Sequence, residues 1–222
     1  MIEEAKCTHP WDVSPKEAAA IQNDLRQAVI REDRLEEPHR VAGIDVGFEA
    51  GGKTARAAVV VLSFPELVVL ETSMRRRVVG FPYVPGLLSF REAPVILEAL
   101  ASLRNPPELL MVDGQGLAHP RRFGLACHLG VLSGCASVGI AKSRLVGEHA
   151  SLGEERGDWQ PLVDRAEVVG AALRTRAGSK PVFVSIGHNV TLETAIELVM
   201  RCTTKYRLPE ATRLAHNLAS RQ

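Results

Sequence analysis

No stretch of about 18 uninterrupted apolar residues occurs in this 222-residue chain, so no segment is built to span a bilayer as a helix. The opening stretch, Met1-Ile-Glu-Glu-Ala-Lys-Cys7, is acidic where a secretory leader would be basic, and no apolar run follows it. A cytoplasmic location is therefore expected. The four cysteines (Cys7, Cys127, Cys135 and Cys202) include no C-x-x-C pair. That argues against a zinc knuckle or a redox motif and leaves buried or half-buried free thiols as the simplest reading. A net charge of +1 supplies no global attraction to a polyanion. Arginine is nevertheless clustered at Arg75-Arg76-Arg77 and at Arg121-Arg122, which matters for phosphate binding only where such clusters flank a catalytic centre. Low-complexity segments and internal repeats are also missing.

What is present suits one sizeable core: 45% of residues are hydrophobic and 24% are charged. A single domain over residues 1–222 is expected. Ser14-Pro15-Lys16-Glu17 reads as a capping box with proline at the first helical position. Ala18, Ile21, Leu25 and Val29 continue at helical spacing, giving an N-terminal helix over residues 14–31 packed on the rest. Residues 41–46, 55–64 and 67–79 read as three strands with short connections, an antiparallel meander. The pattern then alternates. Residues 89–103 predict a helix with Pro94 near its start, 108–112 a strand, 123–132 a helix, 137–141 a strand and 181–186 another strand. Thr191 caps a helix reaching about residue 202, and Pro209 starts a last one. Residues 147–158, rich in glycine and charge, read as a surface loop. Alternating strands and helices imply parallel pairing in this half. The expected class is α/β: a mixed sheet with an antiparallel three-strand start and then parallel strands, flanked by helices, in the element order of a ribonuclease H-like fold.

Two aspartates stand out against this frame. Asp45 sits inside an apolar strand, Gly43-Ile44-Asp45-Val46-Gly47, where an unpaired carboxylate is costly. Asp113 ends a second one, Leu109-Leu110-Met111-Val112-Asp113-Gly114. Each alone is explained by turn chemistry, since Asp-Gly is a common turn dipeptide. Together, at the ends of apolar strands, they can share one hard cation of the magnesium type. Such a centre offsets phosphate charge and activates water for phosphodiester cleavage. Glu92 lies near a helix start, where acids are favoured anyway. His216 is a lone histidine on the last helix.

The segment from Gly80 to Pro94, Gly-Phe-Pro-Tyr-Val-Pro-Gly-Leu-Leu-Ser-Phe-Arg-Glu-Ala-Pro, closely resembles the Pro-Tyr-x-Pro-Gly…Phe-Arg-Glu block of the endonuclease V (deoxyinosine 3′ endonuclease) family. The likeness continues in order through Gly-Ile-Asp45-Val, Val-Asp113-Gly-Gln-Gly-x-Ala-His119-Pro-Arg, Gly139-Ile-Ala-Lys142, Ser185-Ile-Gly-His188 with Leu192-Glu193-Thr194, and Leu208-Pro-Glu-x-Thr-Arg-Leu-Ala-His216. It covers most of the chain from about residue 40 onward.

The resemblance implies a ribonuclease H-like fold, magnesium as cofactor with manganese able to substitute, and hydrolysis of the second phosphodiester bond 3′ to a deaminated purine. It implies metal binding by Asp45 and Asp113, with Glu92 and His216 acting directly or through water or a second ion. Lys142 matches a lysine near the scissile phosphate, and His119 and Arg121 fall in a strand-contacting motif. Pro82, Tyr83, Val84 and Pro85 match a wedge that fills the gap left by a flipped base; flipping costs about a few kcal/mol. Gly86, Leu88, Gly114 and Gly116 match the base pocket, where glycine lets backbone groups approach a base edge closely. The implied partner is DNA containing deaminated bases, with a monomeric protein. Inosine-containing RNA stays open as substrate, because contacts to a 2′-hydroxyl have no short signature. A non-cleaving module for inosine or branched nucleic acid is the binding alternative. Gly-Ile-Asp-Val-Gly also resembles the phosphate loop of actin-like ATPases, but those need two such lobes and more chain.

Overall fold

The computed structural model describes residues 8–220, so the acidic N-terminal stretch and Cys7 lie outside the described residues. Strands β1 (Arg40–Glu49), β2 (Thr54–Ser63) and β3 (Val69–Val78) form the antiparallel meander. Gly51 and Gly52 carry the β1–β2 turn at φ of 66° and 86°, a region glycine enters without strain. The third strand starts at Val69 rather than Leu67, because Leu67 sits in the preceding turn at φ 58°. Helix α2 (Ser89–Ala101) leads to β4 (Leu109–Val112), and α3 (Leu125–Ser133) leads to β5 (Ala136–Ala141). β4 runs parallel to β1, and β5 runs parallel to β4.

Parallel pairing stops there, in contrast to the expectation. Residues 147–173 supply no crossover helix, and a parallel return needs one. They form instead a hairpin of β6 (Trp159–Asp164) and β7 (Glu167–Leu173) that the sequence reading did not assign. Strand β8 (Val182–His188) is then antiparallel to both β7 and β5. The result is one eight-stranded sheet in the order β3-β2-β1-β4-β5-β8-β7-β6. Its two edges are β3, which carries Arg75-Arg76-Arg77, and β6, which contains Pro161.

Strand alternation sorts the apolar residues between two layers. Val41, Leu109, Met111 and Val138 face helices α4 (Leu192–Arg201) and α5 (Glu210–Ser220). Ala42, Ile44, Leu110 and Val112 face α2 and α3. Helix α1 (Pro15–Leu25) carries the expected capping box, with the Ser14 hydroxyl accepting from the Glu17 N–H at 3.3 Å and Glu17 accepting from the Ser14 N–H at 2.8 Å. It ends at Leu25 with a single tighter turn to Ala28, short of residue 31. Ala18 packs with Phe81, Leu87 and Phe90, and Leu25 with Leu117, Phe123 and Cys127. Burying side chains of this size contributes about 1.5–3 kcal/mol each. Cys127 and Cys202 are buried free thiols and Cys135 is half-buried. Among the described residues, no helix is long and apolar enough to cross a membrane.

Helix α5 lies unusually close to β1. Its buried Ala211, Ala215 and Ala219 recur every four residues on one face. That stripe rests on Gly43 and Gly47, which point to the same side of β1 as Asp45. A Cβ on Gly43 would stand 1.9 Å from the Ala211 carbonyl oxygen, and one on Gly47 would stand 2.5 Å from that of Ala219. Arg56, buried beside this helix end, donates to the Ala219 carbonyl through Nε at 3.1 Å and pairs with Glu49 at 2.6 Å. A cation there also suits the negative end of the helix dipole. Gly43→Ala is therefore expected to destabilise the protein by about 1–3 kcal/mol, as overpacking typically does. Gly80→Ala, where a Cβ meets nothing within 4 Å, is expected to leave the urea midpoint unchanged. Equal midpoints for both variants would refute the close-approach argument.

Candidate active site

The register of β1 and β4 pairs Ile44 with Val112, and the Asp113 N–H extends the ladder to the Ile44 carbonyl at 3.0 Å. Asp45 and Asp113 therefore follow side by side, both on the α5 face. From α5, His216 Nδ1 lies 2.7 Å from Asp45 Oδ2. The other Asp45 oxygen accepts from the Val46 N–H at 2.8 Å. Lys142, one residue past β5, places its ammonium on Asp113 and stands 3.4 Å from His216 Nδ1. Each of Asp45, Asp113 and His216 offers a ligand atom within 4.8 Å of the others. Two carboxylates and an imidazole form a donor set that suits a divalent cation, and Lys142 already supplies positive charge there. Arg207 donates to the Lys142 carbonyl at 2.9 Å and steadies that loop.

Burial pushes the Asp45 carboxyl above its ordinary range, and the neighbouring Asp113 charge adds to this. Glu92 reaches the same region from α2, in the opposite layer. Its carboxyl is buried and makes no hydrogen bond among the described residues, and burial together with the charges of Asp45 and Asp113 pushes it up to about 8. Its place near a helix start is explained by helix chemistry alone, and only the family resemblance had tied Glu92 to the metal centre. A proton held by burial and like charge marks it as part of the same electrostatic unit.

A cavity of about 180 Å³ opens immediately beside this centre. Tyr83, Val84, Pro85, Gly86, Leu88, Gly114 and His119 line it, as do Gln22, Ser89, Gln115, Gly124, Leu125 and Leu145. Its wall begins at Gly114, one residue past Asp113. Tyr83 stands at the rim with 72% of its surface exposed, a ring held in solvent between prolines. The Arg91 guanidinium lies 6.0 Å from that ring and 4.9 Å from that of Phe48.

Most expected site residues converge here, with three differences. Gly116 does not line the cavity: its N–H donates to Ser185 Oγ at 2.9 Å, and a Cβ would stand 2.0 Å from the Ile186 carbonyl oxygen. Its smallness serves contact with β8 instead. His119 is buried, and its Nε2 donates to the Gly86 carbonyl at 3.0 Å. Burial and Arg121 hold its pKa down at about 4, so it is neutral. Arg121 donates to the same carbonyl and, at 2.5 Å, to the Gln22 side chain. Both residues expected to contact the strand thus brace the cavity wall. Pro82 is outside the lining. The sequence reading assigned no role to Gln22, Ser89, Gln115 or Leu145. The spacing Gly43-x-Asp45-x-Gly47 was the available signal for the approach of α5, because residues two apart share a strand face.

An acidic pair at neighbouring strand ends of a ribonuclease H-like sheet, with a base-sized cavity against it, defines a nuclease. The family model for Endonuclease V matches residues 23–217. Endonuclease V of Nostoc sp. is 55% identical over 213 residues, covering 96% of this chain and 96% of its own. The crystal structure of Endonuclease V from Streptomyces avermitilis superposes with a TM-score of 0.90 at 46% identity, covering 94% of this chain and 92% of that one. Endonuclease V of Ciona intestinalis, in complex with a 23mer DNA containing an inosine followed by a ribo-adenosine, superposes with a TM-score of 0.82 at 30% identity, covering 93% and 97%. The chain belongs to the endonuclease V family.

The Glu92 proton has a measurable consequence. In the unfolded chain this group ionises near about 4.3, and in the folded chain at about 8. Between those values the native state holds a proton that the unfolded chain has lost, so stability falls as pH rises across the window. In chelator, Glu92→Gln is expected to unfold at the parent's temperature at pH 4 and at a higher temperature at pH 8.5. A difference independent of pH would remove the buried-proton assignment.

Proposed function

We propose that this protein is a magnesium-dependent DNA repair endonuclease that recognises deoxyinosine and hydrolyses the second phosphodiester bond on its 3′ side, leaving a 3′-hydroxyl and a 5′-phosphate. The observation that carries the reading is the junction at Asp113-Gly114, where the acidic centre and the base-sized cavity share a chain segment. The complex of the Ciona relative with inosine-containing DNA supports the substrate class. The continuous eight-stranded sheet supports a single domain, and we take residues 1–222 as that domain, monomeric and cytoplasmic.

Asp45 and Asp113 would hold the magnesium, with His216 beside them; manganese fits the same donors. Such an ion offsets phosphate charge and lowers the pKa of an attacking water. Lys142, which now pairs with Asp113, would be the group available to place positive charge against the scissile phosphate. Glu92, whose proton is held by burial and by the charges of Asp45 and Asp113, would in its ionised form orient water by accepting its hydrogens. The flipped base enters the cavity against Gly86, Leu88 and Gly114, with Gly116 supporting the wall from behind. Pro82 and Pro85 stiffen the loop around Tyr83 and Val84, so the tyrosine ring refills the stack at low entropic cost. His119 and Arg121 hold the Gly86 carbonyl in place.

Single-inosine DNA and RNA oligonucleotides, with magnesium or chelator, test this directly. The parent is expected to nick the DNA only with the metal, one nucleotide beyond the inosine's 3′ neighbour bond. Asp45→Ala and Asp113→Ala should each lose at least about 100-fold of that rate, corresponding to roughly 3 kcal/mol of transition-state stabilisation. Cutting by either variant at the parental rate would show the centre to be misplaced. Preference for the RNA arm would change the substrate and leave the chemistry standing. Separately, Tyr83→Ala is expected to weaken binding to duplex more than to single-stranded inosine DNA; equal losses would remove the wedge role.

A further inference from the structure

A chain of three side chains runs from the surface to the cavity wall. His9, ahead of α1 and half-buried, stacks edge-on against Trp11 with ring centres 4.3 Å apart. Its Nε2 lies 2.7 Å from Nε2 of His128, which is wholly buried on α3. Nδ1 of His128 lies 2.9 Å from the hydroxyl of Ser89. Ser89 opens α2, is 2% exposed, and lines the cavity.

The hydrogens in this chain have only one consistent arrangement when both rings are neutral. His9 Nδ1 lies 2.8 Å from the Pro10 carbonyl, which can only accept. Nδ1 therefore carries the hydrogen of His9, and Nε2 is bare. Two bare ring nitrogens cannot hydrogen-bond, so His128 supplies the hydrogen from its own Nε2. Burial among Trp11, Phe90 and Phe123 pushes His128 down to about 3, which keeps that ring neutral and leaves its Nδ1 bare. The Ser89 hydroxyl must then donate to Nδ1. Its single hydrogen is committed to His128, so toward the cavity its oxygen can only accept.

Gln115 gives the wall the same polarity independently. Its Nε2 lies 3.0 Å from the Ser143 carbonyl, another pure acceptor, so the amide nitrogen is correctly placed there. The remaining atom, Oε1, is buried without a partner, and the residue lines the cavity. A buried acceptor left unpaired is costly, and a ligand N–H removes that cost.

We propose that His9 and His128 are positioning residues that fix Ser89 as a hydrogen-bond acceptor in the cavity wall, which makes Ser89 a specificity determinant. It favours a base that presents a ring N–H and disfavours one that presents a bare ring nitrogen. Hypoxanthine carries hydrogen on N1; adenine and unsubstituted purine do not. The inference rests on the reading of this cavity as a base pocket.

Two measurements at about pH 8, where imidazoles are neutral, test it. Nitrogen-15 spectra of the histidine rings, recorded without substrate, are expected to show hydrogen on Nε2 of His128; hydrogen on Nδ1 overturns the inference. Single-turnover cleavage then compares oligonucleotides bearing deoxyinosine or purine 2′-deoxyriboside, which lacks the N1 hydrogen. Ser89→Ala is expected to lower the inosine preference roughly tenfold, the scale of one hydrogen-bond mismatch. His9→Phe, which keeps a ring against Trp11, is expected to lower it less and to add nothing in the Ser89→Ala background. A parental preference in Ser89→Ala, at unchanged thermal stability, overturns the specificity role. A parent that cuts neither substrate overturns the proposed function as well, whereas a wrong tautomer with intact inosine cleavage overturns this inference alone.

Discussion

Two negative charges held side by side on adjacent parallel strands set the terms for much of this molecule. Asp45 and Asp113 occupy neighbouring positions because the register of β1 and β4 aligns Ile44 with Val112. Their repulsion, together with burial, raises Asp45 and contributes to the high value at Glu92. Lys142, just past β5, and His216 from α5 converge on the pair and relieve part of it. A fold that only needed to be stable would gain by replacing such a cluster with apolar groups. In the proposed function a divalent cation would replace weaker partners at this cluster, so that binding of the ion and relief of the repulsion would be one event.

Bringing His216 to that pair required an unusual helix–sheet contact. Helices usually rest on side chains, and a strand of valines would hold α5 at an ordinary distance. Gly43 and Gly47 flank Asp45 on its own face, and α5 answers with alanines, so backbone meets backbone at both ends of the contact. The aspartate lies between, within hydrogen-bond reach of His216 on α5. Packing and electrostatics are thereby joined: the same two glycines that shape the core set the distance across the centre.

Much of this was legible in the sequence, for identifiable reasons. The capping box at Ser14, the apolar strands ending in Asp45 and Asp113, and the helices at Ser89 and Thr191 are local signals, and they appear in the structure near their expected places. β6 and β7 were missed because Pro161 interrupts the first of them and the exposed positions, Trp159, Val163 and Val168, are apolar, so no polar-out alternation marks the strands. The antiparallel course of β8 was not legible either: direction depends on how the chain returns, and no residue within β8 records it. At the site, short motifs marked Asp45, Asp113 and the Tyr83 loop. Ser89 and Gln22 carried no such mark. Their importance lies in partners distant in sequence, His128 for the first and Phe123 and Arg121 for the second. Gly116 shows the converse, a motif glycine whose close contact is with β8 rather than with the cavity.

The two free borders of the sheet have a consequence of their own. An open β-sheet can recruit a strand from any neighbour, and extended apolar borders are where ordered aggregates begin. Here one border strand, β3, carries three consecutive arginines, and the other, β6, carries Pro161, which offers no N–H to an incoming strand. A second copy approaching β3 would bring like charge against like charge. Approaching β6, it would find a gap in the ladder at Pro161 and Val163 already bridged to Glu148. Both borders thus resist growth of the sheet without its being closed into a barrel.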